Sequence, residues 1–398
     1  MNIAATKIKF FIVSLVLSLL SSSLTASTII EANAVRAGGY DIPIKIMLPD
    51  NLSEKLPVFF FVHGGGWNGG TATEVPKASL PNDASYLCDR LGIIYVGLAY
   101  RCKGNDGTFA LAIEDLEASI AWFMSKAEQY NADLTRIGFG GGSAGTTLSA
   151  ILSQRYPMCK LYIGREGMYN ITDQNEALSF FPTPEGKKLF GLISKEQKLE
   201  ASAYYNLRAK PASALLFHGK DDYLCHYSQS EKYAQKIRRA GGKAKVVLYD
   251  HINHTCLNPA YPDVFKNSLM EMAQFYTEEF QLVDVDFNAI VSNLDRRLQG
   301  MYPFSEVNSN QLVGTWIHKK EVLILEKNGN GTRSNMNDKQ IKSIIYQING
   351  ASISIFENGA KKHRTFYLRK NNKMIYESIE DNTRFKSRRI DYLKQEIL

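Results

Sequence analysis

Ser143 has the sequence context of a catalytic nucleophile. It lies in the segment GGSAG, residues 141–145, which follows a strand-like run over 135–139 and precedes an apolar stretch over 146–152. A serine hydroxyl is a poor nucleophile unless a base lies beside it. A sharp turn between a strand and a helix exposes the hydroxyl, and the flanking glycines let the two elements approach each other. The pattern therefore predicts a nucleophile at Ser143.

A glycine-rich loop upstream could stabilise the negative charge that an attack on an acyl group creates. The apolar run 56–62 is typical of a buried strand, and HGGGW follows it at 63–67. Backbone amides aimed at the oxyanion contribute about 3 kcal/mol each, and the amide of Ala144 would complete such a hole. A flexible turn or a phosphate loop is the alternative. No Gly-Lys-Ser/Thr follows the glycines, which excludes a P-loop.

Candidate acid and base residues follow two later strand-like runs. One apolar run ends just before Asp221 and Asp222, and a second, over 244–250, is followed by His251 and His254. Parallel sheets of α/β proteins carry their sites at the C-terminal ends of their strands. The order serine, aspartate, histidine is the one expected of α/β-hydrolases. The three residue types are therefore expected to meet at one edge of a sheet.

Over about residues 40–280 the chain resembles α/β-hydrolase-fold serine esterases of the hormone-sensitive-lipase and acetyl- or feruloyl-esterase type. The HGGGW loop, the pair Tyr100-Arg101 and a later helix with IEDLEA, residues 113–118, and Trp122 carry this resemblance together with the GGSAG turn. It implies a mostly parallel sheet with helices on both faces, and ester hydrolysis without a cofactor or a metal.

The resemblance also assigns roles to the three candidate residues. Ser143 is then the nucleophile. Asp222 is the acid, since it ends the family pattern His-Gly-x-x-Asp that begins at His218. His254 is the base, since it ends a Leu-Tyr-x-x-x-x-His run that begins at Leu248.

The resemblance further implies that Gly65, Gly66 and Ala144 donate to the oxyanion. One departure concerns Gly142, because many relatives carry an acidic residue at the position before the serine. This departure leaves the subfamily open and the expected chemistry unchanged.

These residues favour a carboxylesterase that forms an acyl-enzyme on short acyl esters, with acetyl and feruloyl groups of glycans as candidate substrates. A serine peptidase of the same fold is one alternative, and the HGGGW loop argues against it. A protein that binds a ligand in a C-terminal barrel, with the hydrolase unit as a scaffold, is another. The complete set of Ser, Asp, His and glycines argues against that one.

Alternating strands and helices predict a catalytic domain over 28–283. The alternation breaks between residues 165 and 209, in a segment rich in aromatics, Pro and Gly. In relatives an insertion at this point forms a cap over the active site, so the same is expected here. A surface excursion is the alternative. Trp67 would either line the substrate pocket or pack beneath its loop. Residues 284–307 are interpreted as a linker helix.

The N-terminal segment has the features of a cleaved signal peptide. Two lysines precede the apolar run 10–20, which is shorter than a membrane span, and small residues follow it through Ser27. Residues 1–27 therefore predict a secreted or periplasmic protein, in which disulfides are permitted.

The five cysteines are odd in number, so at least one would remain unpaired within the chain. Cys225 follows Asp222 by three residues and Cys256 follows His254 by two, so that convergence of the two loops predicts a Cys225–Cys256 disulfide. Cys88 and Cys102 flank one strand and could pair or remain two buried thiols.

Short alternating strands separated by turns predict a β-barrel domain over 308–398. Its opening LVGTW, residues 312–316, resembles lipocalin-like domains. From residue 302 onward there are 17 Lys and Arg against 10 Asp and Glu, which equals the net charge of +7 of the whole chain. Anionic polysaccharide or a membrane surface is a candidate partner of this basic domain, and a solvated face is the alternative. Nucleic acid is not expected.

Overall fold

The strands of this computed structural model divide into a long N-terminal sheet and a C-terminal barrel. Of the predicted signal peptide only Ser27 is among the described residues. These are 27–68, 76–173, 190–192, 194–222, 224–250, 252–254, 257–258, 261–301, 309–318, 320–336, 338–349, 352–357, 363–367, 373–381 and 384–394.

The N-terminal sheet has eight strands in the order β1-β2-β4-β3-β5-β6-β7-β8. The pairs β1–β2 and β2–β4 are antiparallel, and every other neighbouring pair is parallel. The strands are β1 Thr28–Ala37, β2 Tyr40–Leu48, β3 Leu56–Val62, β4 Ile94–Leu98, β5 Ala132–Gly142, β6 Cys159–Arg165, β7 Ser213–Gly219 and β8 Ala244–Tyr249.

Helices cover both faces of this sheet. In chain order the helices before the barrel are α1 Ala84–Leu91, α2 Phe109–Met124, α3 Ala144–Arg155, α4 Lys195–Glu200, α5 Ser228–Arg239, α6 Pro262–Phe280 and α7 Phe287–Met301. The short α8 Ser309–Leu312 leads into the barrel, and its Leu312 is buried among the barrel side chains.

Strand β3 shows why the sheet is buried on both sides. Its residues after Leu56 are all buried, as its sequence LPVFFFV predicts. Because side chains alternate along a strand, Phe60 packs into one core cluster with helices α2, α3 and α5. Phe59 and Phe61 pack into a second cluster with α1, α6 and α7. The predicted α/β-hydrolase fold class is confirmed.

The C-terminal strands form a closed antiparallel barrel. The sequence pattern predicted strands at 322–326, 344–348, 351–356, 365–368 and 374–378, which correspond to five of the eight strands described here. It missed Gly314–His318, Asn330–Asn335 and Arg384–Lys394, and the first two residues of the second of these were assigned to a turn. Likeness to lipocalins stays a prediction. The barrel strands are β9 Gly314–His318, β10 Glu321–Leu325, β11 Asn330–Asn335, β12 Asp338–Asn349, β13 Ser352–Glu357, β14 His363–Tyr367, β15 Lys373–Asp381 and β16 Arg384–Lys394.

The barrel is packed rather than hollow where its side chains are described. Trp316 is fully buried, and its indole Nε1 donates a 2.7 Å hydrogen bond to the carbonyl oxygen of Leu312. Leu323 and Ile353 are buried in the same cluster. Basic side chains of the last strands lie outside the described side chains, so the anionic partner stays a prediction.

Two segments singled out in the sequence are described only in part. Helix α7 occupies the segment interpreted as a linker, and its Ile290 and Leu294 are buried in the second core cluster. Of the predicted cap, residues 174–189 and 193 lie outside the described residues, so the cap stays a prediction. No helix within the described residues is long and apolar enough to cross a bilayer.

The Tyr100-Arg101 and IEDLEA segments, singled out in the sequence, are joined by a buried ion pair. The single Nε hydrogen of Arg101 is shared between Oδ2 and Oδ1 of Asp115 on α2, at 2.8 and 3.1 Å, and Nη2 donates to Oδ1 at 2.7 Å. The Arg101 backbone amide donates a further one at 2.9 Å. The Asp115 side chain is 1% exposed. This contact fixes α2 to the end of β4.

The turn around Ser143 depends on two glycines that have no space for a side chain. A Cβ at Gly145 would lie 2.1 Å from the carbonyl oxygen of Val62, and one at Gly141 would lie 2.4 Å from that of Gly145. At Gly142, by contrast, a Cβ would meet no atom within 4 Å. The outer glycines of the pattern are therefore a packing requirement between β3, β5 and α3.

We expect Asp115→Asn to lower the free energy of unfolding by about 3 kcal/mol, because it leaves a buried guanidinium without its counter-charge. Urea denaturation followed by circular dichroism measures the loss. The matched control is Glu117→Gln on the same helix. Its partner Arg155 is 51% exposed, so this change should cost less than about 1 kcal/mol. Equal losses of unfolding free energy in the two variants would contradict a stabilising role for the buried Arg101–Asp115 pair.

We expect Gly145→Ala to destabilise the protein by at least about 2 kcal/mol, because a backbone carbonyl cannot move away from the new methyl group without separating α3 from β3. Gly142→Ala is the control and should leave the unfolding free energy within about 0.5 kcal/mol of wild type. Thermal melts of both variants side by side measure the difference. A Gly145→Ala protein as stable as the control would show that the close packing is wrong.

Candidate active site

Ser143 lies at the sharp turn between β5 and α3. Its backbone has φ 51° and ψ −120°, a conformation that is strained for a residue with a side chain and that holds the hydroxyl away from both elements. The Ser143 amide donates a 2.9 Å hydrogen bond to the carbonyl oxygen of Arg165 at the end of β6. The turn is thereby fixed to the neighbouring strand.

The structure brings His254 and Asp222 to this serine. The Nε2 atom of His254 lies 2.7 Å from Oγ of Ser143, and its Nδ1 lies 2.7 Å from Oδ2 of Asp222. A carboxylate accepts only, so Nδ1 carries the hydrogen and Nε2 is free to accept from the serine hydroxyl. This tautomer is the one that general-base catalysis requires.

Asp222 is the aspartate of the pair that the structure places in the site. Asp222 is 4% exposed, whereas Asp221 is an exposed residue. The amides of Leu224 and Cys225 donate to Oδ1 of Asp222 at 2.8 and 3.0 Å. Of the two candidate histidines, His251 lies outside the described residues.

Electrostatics keep Asp222 ionised and make His254 basic. Burial acts to raise the pKa of Asp222, but the charge of His254 and the hydrogen bonds from His218 and His254 outweigh it and hold that pKa well below the ordinary range. Burial acts to lower the pKa of His254, but Asp222, together with Glu166, raises it above its ordinary value of 6.5. A charged imidazole is therefore stabilised at this position.

The predicted oxyanion donors surround the serine. Gly65 and Gly66 have φ of 114° and 63°, which residues with a side chain rarely adopt, and both line a cleft together with Ser143. A Cβ at Gly64 would lie 2.6 Å from the carbonyl oxygen of Gly142, so the loop packs directly on the turn that carries Ser143. Ala144 is the first residue of α3, where a helix has amides without an intrahelical partner.

Two cavities of very different size meet at Ser143 and His254. The small cavity measures about 10 Å³, roughly the volume that one water molecule requires. The large cleft measures about 800 Å³. Trp67, Ala144, Thr147, Met168 and Cys225 line only the small cavity, whereas Glu166 and Leu224 line both.

Trp67 is at once a wall of the small cavity and part of the core. Its ring is 1% exposed and stacks on Phe190 with 5.7 Å between the ring centroids. Both sequence interpretations of Trp67 therefore describe the same side chain, which packs beneath its loop and faces the nucleophile.

Glu166 is a site residue that sequence reasoning missed. It follows β6, whose Arg165 pairs in register with Gly142, so it lies beside the nucleophile turn. Its φ is 47° and it is 6% exposed. The preceding Arg165 is buried and forms an ion pair with Asp83. No sequence signal marks Glu166, because a left-handed glutamate has no characteristic pattern.

The cysteine predictions have different outcomes. Cys225 is buried and its Sγ donates to the carbonyl oxygen of Gly167 at 3.1 Å, but Cys256 lies outside the described residues, so the Cys225–Cys256 disulfide stays a prediction. Cys88 is a buried thiol that donates to the carbonyl oxygen of Met47, and Cys102 donates to that of Tyr100.

Within the described part of the chain, no three His, Cys, Asp or Glu side chains cluster as a metal site.

Known proteins resemble the N-terminal part of the chain. The BD-FAE family model matches residues 44–162. A probable isoprenylcysteine alpha-carbonyl methylesterase of Arabidopsis thaliana is 26% identical over 277 residues, which cover 64% of this chain and 56% of that protein. The carboxylesterase NlhH of Mycobacterium tuberculosis is 32% identical over 124 residues, or 30% of this chain and 37% of that protein. The chain thus spans about half or less of the curated relatives it matches.

Solved structures share the fold. Esterase 2 of Thermogutta terrifontis, phosphonylated by sarin, superposes with a TM-score of 0.54 and 16% identity, covering 66% of this chain and 99% of that chain. The apo form of the same esterase superposes with a TM-score of 0.53 and 17% identity, covering 66% of this chain and 98% of that chain. Sheet order and these structures together show that the N-terminal part of the chain has the α/β-hydrolase fold, and parts of this domain are similar to the BD-FAE family and to the esterases named above.

Proposed function

We propose that the chain is a carboxylesterase that works through an acyl-enzyme on Ser143. The observation that carries the proposal is the continuous contact from Asp222 through His254 to Ser143, at 2.7 Å for each step, where two cavities meet. The curated relatives named above are a methylesterase and a carboxylesterase, which supports the same reaction class.

Each proton in the proposed reaction has a defined carrier. His254 Nε2 takes the hydroxyl proton as Ser143 Oγ bonds to the ester carbonyl carbon, and the carbonyl oxygen becomes an oxyanion beside Gly65, Gly66 and Ala144. When the tetrahedral intermediate breaks down, the imidazolium gives that proton to the leaving alkoxide. Water then attacks the acyl-serine with His254 as base, and the imidazolium returns that proton to Ser143 Oγ as the bond to the acyl group breaks and the acid leaves. Asp222 stays ionised throughout and stabilises the imidazolium.

The two cavities restrict the ester. Both substituents of the scissile group must lie near Ser143, and the small cavity, at about 10 Å³, favours the smaller of the two. Acetyl esters satisfy this restriction with the alcohol in the large cleft, and methyl esters satisfy it with the acid in the large cleft. A feruloyl group then fits only the large cleft. Acetyl esters of glycans are the proposed substrates, and methyl esters are the alternative.

Export is part of the proposal. Residues 1–27 predict secretion or passage into the periplasm, where acetylated glycans are accessible to an enzyme. The basic C-terminal barrel is proposed to hold the enzyme near an anionic polysaccharide or membrane surface.

We expect kcat/KM to fall at least about tenfold from p-nitrophenyl acetate to p-nitrophenyl butyrate, because two extra methylenes do not fit the small cavity. Met168→Ala enlarges that cavity and should recover much of the activity on butyrate. Ser143→Ala is the control and should show no turnover above background while retaining its fold.

A matched series of methyl, ethyl and propyl phenylacetates tests the alternative. Loss of activity along this alcohol series, with a flat acyl series, would place the small group on the alcohol side. Activity that is independent of size in both series would refute the cavity argument, and turnover by Ser143→Ala would refute the proposed nucleophile.

We expect the acidic limb of kcat/KM to lie above pH 6.5, since the base must be neutral and Asp222 raises the pKa of His254. Activity is therefore lost as pH falls through that raised pKa. Asp222→Asn should shift the limb to lower pH and reduce kcat by about three to four orders of magnitude. A pH profile of p-nitrophenyl acetate hydrolysis measures both. An acidic limb that does not move in Asp222→Asn would contradict the proposed effect of Asp222 on the pKa of His254.

A further inference from the structure

A second histidine contacts the same carboxylate oxygen of Asp222 as His254. His218, on β7, is fully buried, and its Nε2 lies 3.1 Å from Oδ2 of Asp222 and 2.9 Å from the carbonyl oxygen of Cys225. Its Nδ1 lies 2.8 Å from Oγ of Ser230 on α5. Ser230 is also fully buried. The catalytic scheme above gives neither residue a function.

The contacts of His218 define its tautomer. Nε2 faces a carboxylate and a carbonyl oxygen, both of which only accept, so Nε2 carries a hydrogen. In the neutral ring Nδ1 then accepts, and the hydroxyl of Ser230 is the group that donates to it. Ser230 therefore satisfies Nδ1 in the tautomer that presents an N–H to Asp222.

The resulting chain of contacts is nearly symmetric about Asp222. On one side it runs through His254 to Ser143, and on the other through His218 to Ser230. Both imidazole rings donate to the same oxygen, Oδ2, at 2.7 and 3.1 Å. The other oxygen, Oδ1, accepts the two backbone amides of the loop that follows. Rotation of the carboxyl group would break contacts on both oxygens.

We propose that His218 and Ser230 are a positioning pair that holds Oδ2 of Asp222 on His254 and limits how strongly this oxygen attracts the His254 proton. The proposal rests on the proposed function, since it concerns the acid of that reaction. The N–H of His218 stabilises the carboxylate as an anion and competes with His254 for one oxygen. The imidazolium is thus stabilised without becoming too weak an acid to protonate the leaving alcohol.

The charged groups that act on His254 come from two strands. Asp222 follows β7, and Glu166 follows β6 and also favours the charged imidazole. His218 acts only through Asp222. Removing its N–H should therefore make Asp222 a stronger acceptor and raise the pKa of His254, while Glu166 is unchanged.

The test compares two substitutions of similar size. His218→Met removes the N–H, whereas His218→Gln keeps an amide N–H near the position of Nε2. With p-nitrophenyl acetate, His218→Met should lower kcat about tenfold to a hundredfold with KM nearly unchanged, because Asp222 is held less well. Its acidic limb should move to higher pH by about half a unit or more, and His218→Gln should recover most of kcat and the wild-type limb.

Ser230→Ala keeps the experiment decisive if His218→Met does not fold. This variant removes only the hydroxyl that contacts His218. It should lower kcat severalfold and should move the acidic limb to higher pH, as His218→Met does. Circular dichroism melts establish that each protein is folded at the assay temperature. Unchanged pH profiles in the folded variants, or equal losses in His218→Met and His218→Gln, would overturn the proposal. An inactive wild type would instead refute the proposed function itself.

Discussion

The site depends on the burial of one carboxylate. The Asp222 side chain is removed from solvent, and an ionised carboxylate without water is costly unless other groups satisfy it. Two backbone amides and two imidazoles do so here. These donors come from β7, the loop after it and the segment before α6. Elements far apart in the sequence must therefore be in place before the charge can be buried.

The packing around β7 shows how closely these elements are fitted. A Cβ at Gly219 would lie 2.1 Å from the carbonyl oxygen of Ile252 and 2.5 Å from that of Asn253. The amide of Asp221 also donates to the Ile252 carbonyl at 3.0 Å. The segment that ends in His254 thus lies directly on the end of β7, and the distance between acid and base is fixed by backbone contact.

Sequence reasoning succeeded where the chemistry is local and failed where it depends on packing. The GGSAG turn is a local requirement, and the structure shows that its outer glycines have no space for a side chain. The small cavity depends on packing instead. Met168 and Leu224 line it from separate segments of the chain, and Glu166 lines it from a backbone conformation with an unusual φ. His218 was read as part of a motif, and its contact with Ser230 on α5 could not be seen in the sequence. In the barrel, β11 was one of three strands that the sequence did not predict, and its polar residues have no alternating apolar pattern.

Two rings that share one oxygen also explain how the proton can stay on His254 during the reaction. If Asp222 were a strong base, it would compete for the Nδ1 hydrogen once the imidazolium forms, and the leaving group would lose its acid. The hydrogen bonds from His218 and the loop amides stabilise the anion and hold the pKa of Asp222 low. The hydrogen therefore remains on the ring nitrogen, and in the proposed reaction the opposite nitrogen keeps its proton for the leaving alcohol.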